Sequence, residues 1–485
     1  MIKLKKYKIT AFIIIFTLLT SLLTFNLTVS ATQLPVYLSL GDSIAAGYGL
    51  TNPTTDDYAN LLANGRYNLA DFAVSGYTST DLLNQISDAS NKTLQSALST
   101  ASLVTVSIGG NNFLQPLTGL VKNQDLSSIM ANYSTSNPPD PNSISQSDIS
   151  SMLSIFTKYF TPGTDEYTQF TAALDKGLTQ FSSDLDKIIN ILSANKKANI
   201  VFLTVYNPYK NFDYIIPGLG TMSEDYIGKL NKIITDKSNG NYIVADVYTA
   251  FKNSTQAVVN TDMMSMNMDV HPNASGHKLI YKTVAHSLGL SVYFSDMASD
   301  AWAAGYVDSL YDLGIMFGTD TQKQEFSPET ELKNCDLAVL LVRTLKLKIT
   351  DSDVAGVNLP FSDMGNIPSY ALNSVKACYK SGLYSQLFSA GKTYEFAPQN
   401  SAKRIDVALM VAQIIDKSKW SNKNLVYTDL TGVDTAYYPA LSTLYDYGIM
   451  TGSPDKTLNP FGGLTRAQVA KILYTILNNP ALSGK

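Results

Sequence analysis

The chain has 485 residues, enough at about 100–200 per domain for two to four domains. It is 45% hydrophobic and 16% charged, which supports packed cores and excludes a wholly disordered chain. A net charge of −4 with no basic patch beyond the N-terminus argues against nucleic acid as a partner, while two cysteines and three histidines exclude a disulfide scaffold and argue against a multi-histidine zinc site.

The N-terminus carries Lys3, Lys5, Lys6 and Lys8, then an apolar run over 9–29 and the small pair Ser30-Ala31. This pattern predicts a secretory signal over 1–31, cleaved before Thr32. Losing its four lysines takes the charge from −4 to −8. An uncleaved anchor is the alternative, since the run approaches the length of a membrane span. Thr17, Thr20, Ser21, Thr24 and Asn26 dilute it and favour cleavage. The mature protein is then exported and free of the membrane.

From about 33 to 290, β-rich runs alternate with helical stretches. Strands are expected at 36–40, 68–74, 103–108, 200–205 and 242–247. Helices are expected at 57–63, 80–87, 166–192 and 224–235. That alternation predicts a parallel sheet covered on both faces, with a site at the C-terminal strand ends. The segment 132–150, rich in Ser, Asn, Pro and Asp, reads as a loop after the third strand. It is either a cap over the site or a surface insertion.

From Tyr293 the chain repeats itself. Phe294-Ser295-Asp296 recurs as Phe361-Ser362-Asp363 and Tyr427-Thr428-Asp429. Each copy has a helix bearing an apolar pair (Val307/Leu310, Val375/Cys378, Leu441/Leu444), a glycine, a proline-bearing turn and a second apolar helix at 337–345, 407–415 or 469–476. Units of two helices cannot bury their faces alone, so three copies predict one composite domain. Cys335 and Cys378 fall at apolar positions and read as small buried groups.

Four motifs carry chemistry. Gly41-Asp42-Ser43 ends the first strand and puts a serine at the top of the sheet, heading toward a helix whose N–H groups would face it. Ser75-Gly76 follows the second strand, Gly109-Gly110-Asn111-Asn112 the third, and Asp269-Val270-His271-Pro272 closes this half. Together they offer a nucleophile, oxyanion donors and a base, the parts acyl transfer requires. Pro272 and Asn273 place His271 on a loop before a helix, whereas His277 and His286 fall inside that helix and read as packing or surface residues. Ser193-Ala194-Asn195-Lys196 fits a Ser-x-x-Lys pattern but lacks partners. Tyr206 and Tyr209 follow the fourth strand and are candidates for shaping an acyl pocket.

On these blocks, residues 32–291 resemble the GDSL/SGNH hydrolase superfamily. The resemblance implies an α/β fold, a flavodoxin-like three-layer α/β/α parallel-sheet domain that hydrolyses carboxylic esters without cofactor or metal. It implies Ser43 as nucleophile, His271 as base, and an oxyanion hole from the N–H groups of Ser43 and Gly76 and the Asn111 amide, with Asp42 structural. Two positions depart from the family pattern. Asn112 stands where an aspartate is usual, and the acid lies at Asp269, two residues before His271, where the usual position holds Met268. Asp269 either completes a triad or leaves a Ser-His dyad.

The C-terminal half resembles three S-layer homology (SLH) repeats, over 292–350, 359–418 and 424–481, a mostly α domain. That resemblance implies attachment to the secondary polysaccharide of a Gram-positive wall, through Asp363, Asp429, Arg404 and Arg466. Asn334 replaces the arginine of the first copy, so its groove is expected to be weak. The combined expectation is an exported, wall-anchored serine esterase of lipase or acylhydrolase type. An O-acetyl polysaccharide deacetylase with the same site is the second reading. A wall-binding protein with a decayed hydrolase half is the third.

Overall fold

The computed structural model describes residues 34–121, 145–261, 269–388, 392–421, 423, 425–480 and 482. The expected signal at 1–31, most of the expected loop at 132–150, and Met268 lie outside them.

The first half is a five-stranded parallel sheet of order β2-β1-β3-β4-β5. Its strands are β1 (Val36–Gly41), β2 (Asn68–Asp71), β3 (Leu103–Ser107), β4 (Asn199–Leu203) and β5 (Ile243–Ala245). The central strand β3 is buried along its whole length, as expected of a strand covered on both sides. Leu38, Leu40, Val104, Val106 and Phe202 point to one face and pack under helices α2 (Ser79–Ser87), α3 (Lys92–Thr100) and α6 (Asp165–Leu192). Tyr37, Leu103, Val201, Leu203 and Ala245 point to the other, under α1 (Tyr58–Ala63), α8 (Val247–Asn253) and α9 (Ala274–Ser287). The remaining helices are α4 (Gly110–Val121), α5 (Gln146–Phe160) and α7 (Leu219–Asp236). They meet above the C-terminal strand ends through Phe113, Phe160, Phe170, Phe212 and Tyr226.

All five expected strands form, each close to its expected place. Two local expectations fail. Residues 146–150 belong to α5, because Ser145 accepts from the N–H of Asp148 and caps a helix inside the expected loop. Val247 opens α8 instead of ending a strand, because Asp246 accepts from the N–H of Thr249 and starts the helix there.

The second half closes on itself. Its six principal helices are α10 (Ala304–Asp312), α11 (Asn334–Leu345), α12 (Ser369–Lys380), α13 (Arg404–Ala412), α14 (Tyr438–Asp446) and α15 (Arg466–Asn478). A ring of three backbone hydrogen bonds ties the copies: Leu332 N–H to Leu464 O, Leu464 N–H to Ala402 O, and Ala402 N–H to Leu332 O, at 2.9, 3.0 and 2.8 Å. Each second helix starts on the turn of another copy: the N–H groups of Cys335, Ile405 and Ala467 donate to the carbonyls of Pro398, Pro460 and Pro328. One continuous apolar core spans all three copies, including the six residues of the predicted pairs and Cys335. Both cysteines are free and buried. Among the described residues, no helix is long and apolar enough to cross a membrane.

The two halves meet at Asp308, which is fully buried. It accepts from the Nε2 of His286, the hydroxyl of Ser291 and the N–H of Val292, at 2.8, 2.5 and 2.8 Å. Lys282 and Asp312 add an ion pair at 2.7 Å. His286 is therefore a joint residue, which its helix position did not reveal.

Candidate active site

Gly41 ends β1 at φ +134°, and a Cβ there would stand 1.9 Å from the carbonyl oxygen of Ser107. Only glycine lets β1 pass so close to the end of β3, where the N–H of Asp42 donates to that same carbonyl. This crossing sets Ser43 at the rim of the sheet. The expected helix does not follow. The N–H groups of Ala46 and Tyr48 close turns onto Asp42 and Ser43, and Gly47, at φ +66°, ends them. A turn, not a helix, therefore follows Ser43.

His271 arrives from the opposite end of the half. Its Nε2 lies 2.9 Å from the Ser43 hydroxyl, and its Nδ1 lies 2.5 Å from Oδ1 of Asp269. A carboxylate on Nδ1 fixes the proton there, which leaves Nε2 to accept from Ser43. Asp269 also accepts from the N–H of His271 at 3.1 Å. Burial raises the Asp269 carboxyl, but the His271 N–H, its ring and the Asn260 amide outweigh that, and the net shift is below the ordinary carboxylate value. The acid two residues before the histidine thus reaches the imidazole because the chain turns back at Val270.

Three residues hold that turn; the sequence singled out only Tyr206, as a candidate for shaping an acyl pocket. Tyr206 donates its hydroxyl to the carbonyl of Val270 at 2.6 Å, Asn260 its N–H to the carbonyl of His271 at 2.8 Å, and Thr261 its hydroxyl to the carbonyl of Asp269 at 2.6 Å. The Tyr48 ring packs 4.5 Å from the imidazole.

Of the expected oxyanion donors, Ser43 and Asn111 line one cavity. Among the described residues, the N–H groups of Ser43 and Gly76 meet no protein acceptor. Asn111, at the start of α4, donates one amide proton to the carbonyl of Tyr77 at 2.9 Å, which orients the other. Asp42 is spent locally: it accepts from the N–H of Ile44 and the hydroxyl of Ser107, and burial pushes its carboxyl up to about 7.

Asn112 has a physical reason to be an amide. Its Oδ1 accepts from the N–H of Ser79 at 3.0 Å, and its Nδ2 donates to the Ser79 hydroxyl at 2.9 Å. That hydroxyl spends its one proton on the buried Asp184 at 2.9 Å, so its other partner must be a donor. An aspartate at 112 could supply only the first of these bonds.

The other sequence candidates fall elsewhere. His277 is fully buried, accepts from the N–H of Tyr58 at 3.3 Å, and is pushed down to about 4 by burial. Tyr206 and Tyr209 are buried and line a cavity beside Ser43. In the repeats, Asp363 accepts from the N–H groups of Phe396 and Ala397, Asp429 from those of Leu458 and Asn459, and Asp296 likewise from Phe326 and Ser327.

Residues 39–279 match the GDSL-like Lipase/Acylhydrolase family, and 293–332, 360–408 and 426–470 match the S-layer homology domain. The chain joins a GDSL-like hydrolase domain to three SLH repeats. It is 28% identical over 189 residues to an endoglucanase of Bacillus sp. (strain KSM-635), covering 38% of this chain and 18% of that protein. An exoglucanase XynX of Acetivibrio thermocellus is 26% identical over 207 residues, 42% of this chain and 18% of that protein. The chain thus spans less than a fifth of the length of these curated relatives. Among solved structures, the lipase Lip_vut3 from a goat rumen metagenome is 18% identical, covering 52% of this chain and 97% of that one, with a TM-score of 0.34. The acetylxylan esterase Axe2 of Geobacillus stearothermophilus is 15% identical, covering 54% and 96%, with a TM-score of 0.32.

The three SLH junctions use one helix position in three ways. Arg466 donates to the carbonyls of Phe326 and Phe317 at 2.8 and 2.7 Å and lies 4.5 Å over the Phe326 ring. Asn334 donates to the carbonyls of Phe396 and Ala397 at 3.2 and 3.0 Å. Arg404 reaches Gln468 at 3.0 Å, but its buried Nε has no partner. It lines a groove with Trp302, Thr451, Ser453 and Lys471.

Proposed function

We propose that this protein is an exported carboxylic-ester hydrolase held at the cell wall by its SLH repeats. The observation that carries the reading is the Ser43–His271–Asp269 relay, assembled across 228 residues with hydrogen-bond spacing at both steps. The Ser43 oxygen attacks the ester carbonyl as its proton passes to Nε2 of His271. Asp269 keeps the imidazole in the accepting tautomer and stabilises the imidazolium. The N–H groups of Ser43 and Gly76 and the free amide proton of Asn111 hold the oxyanion. His271 then protonates the leaving alcohol, and water returns by the same path to free the acid.

Ser43→Ala should abolish both fluorophosphonate labelling and p-nitrophenyl ester turnover, a loss of at least about 10³-fold. A wild-type chain that neither labels nor turns over would leave a wall-binding protein with a silent hydrolase domain. For anchoring, the Arg404 groove is the best-supported site, because its guanidinium is the one of the two whose donors are not already spent on backbone carbonyls. An acidic sugar of the wall polymer suits such donors.

A further inference from the structure

Beside Ser43 the domain holds a cavity of about 60 Å³, with Ser43 and Asn111 at its lip. It runs between α4, α7 and the end of β4, against Phe113, Leu114, Val205, Tyr209, Ile227 and Leu230. Phe113, Tyr209, Ile227 and Leu230 are buried, so the wall is fixed by the core. Polar groups at the rim are already engaged: Asp42 with Ile44 and Ser107, Thr204 with Asp246, Tyr206 with Val270.

Resting on the ester-hydrolase reading above, we infer that the acyl group cleaved is an unbranched chain with about four to six carbons beyond its carbonyl, seated in this cavity. One water-sized group takes about 10–15 Å³ on this measure of volume, so the space holds about four to six such groups. An acetyl methyl would fill one of them and leave the rest of the apolar wall without contacts. A long fatty chain would overrun the cavity. The acyl side therefore favours short-chain esters over acetylated glycans.

Each methylene moved from water into such a wall is worth about fourfold in kcat/KM. The test is the whole chain on p-nitrophenyl acetate, butyrate, hexanoate, octanoate and palmitate, with labelling by a fluorophosphonate in parallel. Hexanoate should lead acetate and palmitate by at least about tenfold. Val205→Phe, which fills the cavity, should cost hexanoate about tenfold more than it costs acetate. Leu114→Trp, at a half-buried position, repeats the test if the first variant fails to fold. Acetate or palmitate leading in the wild type overturns the inference while the hydrolase stands. Unshifted profiles in folded plug variants overturn it as well. Absence of both turnover and labelling overturns the hydrolase reading itself, and this inference with it.

Discussion

Two aspartates show how differently the halves spend charge. Asp269 is half exposed and directs an oxygen at an imidazole that itself touches Ser43. Asp363, at an equally motif-like position in the repeats, gives both oxygens to backbone N–H groups of its own copy. Asp296 and Asp429 do the same, so the three repeats share one clamp. A carboxylate is available for chemistry only where its partners can change state, and a backbone amide cannot. The arginines repeat the contrast: Arg466 is consumed by the fold, while Arg404 keeps donors in a groove.

The largest effect should fall on the carboxylate whose partner can change state. Asp269→Asn should lower kcat by about 10³-fold while leaving the folded state intact, because the amide favours the wrong tautomer. Steady-state kinetics beside thermal melting checks this. A loss below about tenfold would make the site a Ser-His dyad.

Next comes the joint between the halves. Asp308→Ala should destabilise by about 2–3 kcal/mol, since it strands the Ser291 hydroxyl, the Val292 N–H and the His286 ring. A urea titration reads this. Two separate transitions in the variant, against a single one in the wild type, would show that this carboxylate couples the halves.

Acid should act through His277. Its folded value of about 4 lies below the ordinary 6.5, so the unfolded chain binds the proton first. Its stability contribution is complete above pH 6.5 and is lost as pH falls toward 4. Asp42, raised to about 7, works in the opposite direction and loses its contribution as pH rises from the ordinary carboxylate value toward 7. The two partly cancel, so the wild type must be compared with His277→Gln. Between pH 7 and 4.5 the variant should lose about 2 kcal/mol less than the wild type.

The smallest effect separates the arginines. Arg466→Ala should cost about 2 kcal/mol through its two carbonyl contacts and the Phe326 face. Arg404→Ala should cost less, about 1 kcal/mol or below, because it loses one bond to Gln468 but also removes a buried Nε that had no partner. Binding of the two variants to purified wall polysaccharide should rank the other way, with Arg404→Ala the weaker binder. Equal loss in both would remove the contrast.

Much of this was legible in order. Short β-rich runs and intervening helices gave the parallel sheet, since burial on both faces leaves a sequence little freedom. The repeats were visible because each copy must present the same apolar pair. Ser43, Gly76 and Asn111 stood out because a strand end with small residues exposes whatever follows it, and His271 because Pro272 and Asn273 put it on a loop before a helix. What failed was local: a Ser145 cap turned expected loop into helix, and Gly47 replaced an expected helix by turns.

The sequence by itself determined the two-part architecture and singled out Ser43 and His271 as candidates, because strand-and-helix alternation, repeats and motif blocks are each visible over short stretches of chain. Only the tertiary structure decided whether Asp269 reaches the imidazole, why residue 112 is an amide, and which arginine keeps its donors. Each of those depends on a partner far along the chain: Tyr206 on the Val270 carbonyl, Asp184 on the Ser79 hydroxyl, Phe326 under Arg466. Hydrogen-bond direction is a property of pairs, and a chain read one residue at a time does not show the second member.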